Sequence, residues 1–361
     1  MITEKKNQHY IPKFYLRNFS YHGNKKQIGV YNLNNDKFIQ AAKLKTQGSK
    51  NFFYGYDGVV EDKLADLEGD LSMAINQITE KIEVPKKNTE NHNILLAFVA
   101  LTDLRNPVKV NGMKSMLQGM KEKLMELDPD VDIDKFVPNP NHDDIVKLLL
   151  SQSAEMILNT LDLDYKLLIN RTSKPYITSD FPVVKYNQFL EEAKWQHSKS
   201  GYGTIGLQIL IPLNSDLVLI FFDSGIYKVG DKKRRFLDIN STDDVDSINI
   251  LQFINCFETI YFNEKASETY LRQLVQKSKK YVRANETKTE LSYLIQNGDN
   301  QKEVLNGKQN LMIFGSTDCE CKLKINGVKI HSNGRAYKFD NSIAQLRPHC
   351  KNLIKKTAAN K

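Results

Sequence analysis

The sequence predicts an α+β protein: a helical bundle packed on one side of a mixed or antiparallel sheet, followed by a basic, β-rich C-terminal appendage. Three observations predict it. Through about 58–161 apolar residues recur at three- and four-residue steps, as in Leu64, Leu67, Leu71, Ile75, Ile78 and Ile82, the period of a helix with one buried face. Through about 163–222 they gather into short runs at 165–170, 204–212 and 216–222, the pattern of strands. Residues 301–361 carry 12 Lys/Arg against 4 Asp/Glu and so hold the whole net charge of +8, leaving the first 300 residues neutral. The expected division is a main unit over 1–285 and a basic β-rich region over 286–361.

The composition, 40% hydrophobic and 26% charged, is that of a globular chain. No apolar run approaches the roughly 18–20 residues that cross a bilayer. Residues Met1 to Lys6 lead into no apolar segment, so a cytoplasmic protein without membrane contact is expected. Cys256, Cys319, Cys321 and Cys350 then read as reduced thiols. The charge leaves two readings for the basic end: a surface facing a polyanion, or a solvated tail.

Taken in order, the chain opens on an aromatic stretch. Tyr10, Ile11, Phe14, Tyr15, Leu16 and Phe19 are interleaved with His9, Lys13, Arg17 and Asn18. Leaving such surface in water would cost roughly 1.5–3 kcal/mol per large side chain, so the segment is expected in the core. A hairpin follows at 27–40 around the turn Asn34-Asn35-Asp36. Residues 58–83 form a helix closed by Pro85. Residues 88–105 form a second, apolar nearly all round and therefore central, which Pro107 ends. Helices are expected at 108–126 and 142–161, with a loop or mobile linker at 127–141. A short strand at 175–178 enters Ser179-Asp180-Phe181-Pro182, and a long polar loop covers 186–203. Helices at 242–262 and 264–285 come next, the former capped by Thr242 with Asp243 and Asp244 in its first turn. The region 310–337 alternates like a hairpin with a tight turn at Ile325-Asn326-Gly327-Val328, and the end from Lys351 reads as fraying.

Four segments occur together in a recognisable order. They are His9-Tyr10-x-Pro12-x-Phe14-Tyr15-Leu16-x-x-Phe19, the helix from Leu95 that ends in Leu104-Arg105-Asn106-Pro107, Ile177-Thr178-Ser179-Asp180-Phe181-Pro182-Val183, and Ile211-Pro212-Leu213-Asn214-Ser215. In this the chain resembles the domain of unknown function 4238 family over about 7–265. Phe181 stands where the family element has Asn, and Asn214 near its usual Ser. The resemblance implies a bacterial setting, with some similar proteins associated with defence against bacteriophage.

His9, Asp180 and Arg105, with Glu68 as a fourth, are the candidate catalytic residues. His9 titrates nearest neutrality and suits acid/base work; its alternative is to tie down the N-terminus. Asp180, at a strand end, can orient a His, bind a metal or act as a base, or else close an Asx turn. Arg105, at the end of a buried helix, suits bidentate phosphate binding, or else pairs with Asp180 or Glu68. Glu68 is otherwise a solvated helix residue. Such a set suits hydrolysis of a phosphodiester, so a hydrolase or nuclease acting on nucleic acid or nucleotides is the first expectation. A sensor that binds nucleic acid or a phage component through Lys277, Lys279, Lys280 and Arg283 is the second. A divalent metal is compatible with the carboxylates. The spacing Cys319-x-Cys321 is tighter than structural zinc sites use. No P-loop, Gly-x-Gly-x-x-Gly or His-Glu-x-x-His motif is present.

Overall fold

The computed structural model describes residues 6–284, 287–293, 310–340, 342 and 344–359, with only the backbone course fixed for 287–293 and 310–316. The elements run β1 (Asn7–His9), α1 (Lys13–Arg17), β2 (Gln27–Asn32), β3 (Lys37–Lys43), β4 (Ser49–Asn51), α2 (Val59–Lys81), α3 (Glu90–Leu104), α4 (Pro107–Leu127), α5 (Ile133–Phe136), α6 (His142–Ser151) and α7 (Ser153–Thr160). The sheet-rich half follows with β5 (Asp164–Asn170), β6 (Thr178–Ser179), β7 (Val184–Tyr186), α8 (Gln188–Glu192), β8 (Gln208–Pro212), β9 (Leu217–Phe222), β10 (Tyr227–Val229), β11 (Phe236–Ile239), α9 (Thr242–Asn255), β12 (Thr259–Phe262) and α10 (Glu268–Ser278). Then come β13 (Thr287–Tyr293), β14 (Asn310–Ser316), β15 (Val328–Ile330), α11 (Ser332–Arg335) and α12 (Pro348–Ala359). The α+β class is as expected. None of the described helices is long and apolar enough to cross a membrane.

Two sheets organise the body. The larger has the order β11-β5-β9-β8-β7, antiparallel except for the parallel pair β11–β5. The smaller is β3-β2-β12-β6, antiparallel throughout. Side chains alternate across a strand, and here both faces of the larger sheet are buried. Leu167, Leu219 and Ile211 point into one core, with the opening aromatic stretch and the apolar faces of α2, α3 and α6. Leu168, Ile220 and Leu210 point into the other, with α9 and α10. The bundle therefore covers one side as read, and the second side has its own cover.

The opening stretch docks as its composition demands. Ile11, Tyr15, Leu16 and Phe19 are fully buried, and Tyr10 and Phe14 nearly so. Six such side chains are worth on the order of 10 kcal/mol of apolar burial. In α3 the helix is capped by Thr89, whose Oγ1 accepts from the His92 amide at 3.3 Å. It turns into α4 through the two-residue corner Arg105-Asn106, and Pro107 occupies the first turn of α4, where no amide donor is missed.

Several expectations are corrected. The helix read over 242–262 stops at Asn255; Thr-Ile-Tyr-Phe at 259–262 is β-branched and aromatic, and forms the inner strand β12 between β2 and β6. The alternation at 310–337 is not one hairpin: β14 pairs back with β13, whereas β15 pairs with β10. The turn before β15 is present, with the Val328 amide on the Ile325 carbonyl at 3.0 Å and Gly327 at φ +87°. The described C-terminal residues are also not an appendage. Cys319, Cys321, Leu323 and Ile325 belong to the second core. Arg347, 1% exposed, bonds Asp162 at 2.8 Å and the carbonyls of Tyr202 and Thr204. The end from Lys351 continues α12 rather than fraying. The polar stretches at 127–141 and 186–203 contain the short helices α5 and α8.

Candidate functional site

The four sequence segments meet through buried hydrogen bonds. The Tyr15 hydroxyl donates to the Pro212 carbonyl at 2.7 Å and lies 2.6 Å from Thr178 Oγ1. A phenol has one proton, so Thr178 is the donor in the second bond. Asn106 works in two directions. Its Oδ1 accepts from the Val108 amide and caps α4, while its Nδ2 donates to the Asp180 carbonyl at 2.6 Å. Gln8, wholly buried, bonds the Tyr54 amide and the Gly55 carbonyl, and Tyr54 Oη donates to the His9 carbonyl at 2.9 Å.

His9 and Arg105 come together with Glu68. Arg105 is 1% exposed, and its Nη1 donates to Glu68 Oε1 at 2.9 Å from the half-buried face of α2. Of the two partners that the sequence leaves open for Arg105, the fold selects Glu68. Among the described residues, Arg105 Nε, Arg105 Nη2 and His9 Nε2 make no close hydrogen bond, with the Tyr54 phenol the polar group beside the guanidinium. The His9 ring does bond the Lys45 backbone. Burial first, then the positive charges of Lys13 and Arg105, pull the His9 pKa down to about 4, so the ring is neutral near pH 7. Burial also raises the Tyr54 phenol well above its ordinary range, with Arg105 opposing that shift.

Asp180 does not join them. Its carboxylate faces the turn between α9 and β12, where it accepts the amides of Phe257, Glu258 and Thr259 at 2.7, 2.7 and 2.9 Å. Burial raises its pKa to about 6 against these three bonds. Neither a carboxylate–imidazole pair with His9 nor an ion pair with Arg105 is formed. The reason is topological: β6 runs beside β12, so a side chain at its end meets the amides of that neighbouring turn.

The four basic residues expected at a nucleic-acid surface divide in two. Lys277 bonds the buried Asp246 at 2.6 Å, and Arg283 holds the carbonyls of Cys256 and Phe257. Lys279 and Lys280 are exposed, the latter over the Tyr281 ring at 4.9 Å. Among the described residues no group of three or more His, Cys, Asp or Glu could hold a metal ion.

Sequence reasoning missed a second charged cluster at the same helix end. Asp103 is fully buried; it accepts from Tyr202 Oη at 2.6 Å and pairs with Lys109 at 3.4 Å. Lys185 lies over the Tyr202 ring at 4.6 Å. Its pKa falls to about 8 through burial and the neighbouring Lys109. The only signal was an Asp inside an otherwise apolar helix. Tyr202 lay in a stretch that reads as a polar loop.

No curated protein and no solved structure matches this chain. One family does, over residues 7–266, a span that contains all four segments and every residue of the His9 cluster. The chain belongs to the family described as "Protein of unknown function (DUF4238)".

Proposed function

We propose that this protein is a bacterial hydrolase of phosphate esters, acting on nucleic acid or nucleotides in defence against bacteriophage. One observation carries the chemistry. Arg105 Nε and Nη2 and His9 Nε2 are buried in one cluster with no close hydrogen-bond partner among the described residues. Leaving such groups unsatisfied costs roughly 1–3 kcal/mol each. An oxyanion supplies acceptors for the two Arg105 donors, while neutral His9, whose other ring nitrogen donates to the Lys45 backbone, presents Nε2 as an acceptor for a water proton. Arg105 is held from behind by Glu68, which leaves its other edge for a phosphate. A neutral His9 is a weak base as it stands. An arriving phosphate offsets the charges of Lys13 and Arg105 and draws the imidazole pKa back toward neutrality, where it can take a proton from water. Asp180 and Tyr15 keep the segments in place and touch no reacting atom.

The test compares wild type with His9→Asn and Arg105→Lys on single-stranded and duplex oligonucleotides and on nucleotides. Folding is checked by circular dichroism. Each variant is expected to stay folded and to lose roughly 100-fold or more in rate, and His9→Asn is expected to abolish protection in a plaque assay. A folded His9→Asn protein with wild-type turnover would falsify this reading.

A second reading is a nucleic-acid-binding sensor. The observation that favours it is that so many residues of the four segments are occupied by structural bonds, while Lys279 and Lys280 face solvent. It predicts that charge reversal at Lys279 and Lys280 abolishes protection while His9→Asn does not.

A further inference from the structure

The N-terminal end of α3 faces a different feature. A cavity of about 710 Å³ opens between the start of β5, the β10–β15 pair and the loop that follows β10. It lies far from the His9 cluster. His92, in the first turn of α3, stacks on Tyr165 beside the cavity at 5.0 Å, whereas Arg105 follows the last turn. At 1.5 Å per residue the two ends of this 15-residue helix are roughly 20 Å apart.

The lining is strongly positive. Among the described residues Lys166, Lys228, Lys232 and Arg235 line it against Asp164, which Lys87 already holds at 3.0 Å, with the Asp231 carboxylate also close enough to act on Lys166. Lys166 sits at the floor, 8% exposed. Its ammonium donates to the Val229 carbonyl at 2.7 Å and to the Asp231 carbonyl, bonds that draw the loop over the cavity. An ammonium has three donors, so one is left beyond these two. Arg235 lies over the Tyr165 ring at 5.0 Å and anchors one nitrogen on the Pro85 carbonyl at 3.1 Å, which fixes its guanidinium at the wall. His92 stacked at 5.0 Å, Arg235 at 5.0 Å and Phe221 at 5.3 Å already crowd the Tyr165 ring. His331 is also occupied, by the Ser224 carbonyl and the Asn333 amide. What remains on offer is chiefly cationic, with Phe222 and Tyr227 buried in the wall, and the volume is that of a small-ligand site.

We propose that this cavity binds the phosphate chain of a nucleoside polyphosphate. Four cations around one small volume call for a ligand with several adjacent negative charges. A single carboxylate would leave most of them unmatched. Lys166 and Arg235 form the fixed part of the site, and Lys228 and Lys232 close over the chain from the exposed rim.

The experiment is isothermal titration of the full chain with ATP, with inorganic pyrophosphate and with a single-stranded oligonucleotide, repeated on Lys228→Glu/Lys232→Glu and on Arg235→Glu. ATP and pyrophosphate should both bind wild type. The double variant and Arg235→Glu should each weaken them at least tenfold. These side chains are exposed, so the variants are expected to fold, which thermal unfolding verifies. No binding by wild type, or unchanged affinity in both folded variants, overturns the proposal. So does an oligonucleotide that binds more tightly than ATP with the same sensitivity to the variants, since the ligand is then a nucleic-acid backbone.

Discussion

Asp180 is the residue at which the charge and the surroundings are most opposed. Three backbone amides converge on its two oxygens, all within 2.9 Å, yet burial still raises its pKa to about 6. An amide in its place cannot satisfy the same donors, because its NH2 group must face at least one N–H. Asp180→Asn is therefore expected to destabilise the fold by about 1–3 kcal/mol. Any loss of activity should then track the loss of folded protein, and specific activity per folded molecule should hold. Chemical denaturation beside an activity assay measures both. Normal stability with lost activity would instead restore a chemical role to this carboxylate. His9 and Arg105 were legible from residue type and place: an imidazole among aromatics, and a guanidinium before a proline. The amides that occupy Asp180 come from residues 257–259, which the sequence reads as part of a helix, so its true role was hidden by one misplaced boundary.

At the level of elements, what the sequence made plain depended on local signals. The hairpin β2–β3 and the helices α2 and α3 have their periodicity and stop signals inside the element, and they form close to where these place them. The strand β12 and the pairings of β14 and β15 are decided by distant partners, which no short window contains. The contact between β2 and β12 also explains a residue that local pattern cannot. Gly29 lies opposite Phe262, and a Cβ at that position would fall 2.2 Å from the Phe262 ring. That ring is stacked on Phe38 at 5.2 Å and is fully buried, so it has little room to yield. Gly29→Ala is expected to cost about 1–3 kcal/mol by overpacking, whereas Gly69→Ala on α2, where nothing lies within 4 Å, should be neutral or slightly stabilising. Thermal unfolding of the two variants against wild type provides the comparison.

For the whole molecule, the buried histidines set how stability depends on pH. His9 and His92 both have pKa values lowered from 6.5 to about 4, chiefly by burial. As pH falls below 6.5 the unfolded chain takes up these two protons and the native chain refuses them, so stability falls until about pH 4. Asp180 runs the other way. Its native pKa lies above the ordinary 3.8, so below about pH 6 the native state takes up a proton that the unfolded state does not. Asp223, also raised by burial, works in the same direction as Asp180. Each histidine contributes a loss of about 1.4 kcal/mol per pH unit near pH 5, which the two carboxyls offset in part. The urea midpoint should fall from pH 7 to pH 5, and His92→Gln should flatten that slope; an unchanged slope in this variant would show that the loss has another origin.

The bonds of the Tyr15 hydroxyl carry a consequence for the order of events during synthesis. They join residues 163 and 197 positions apart in the chain. At 5–20 residues per second, Tyr15 leaves the ribosome about 10–40 s before Pro212 exists. Through that interval Ile11, Phe14, Leu16 and Phe19 can meet α2, α3 and the β2–β3 hairpin, but not the strands β8 and β9 that complete their core. The stretch that closes the finished core thus waits with part of its apolar surface uncovered until the second half of the sheet arrives.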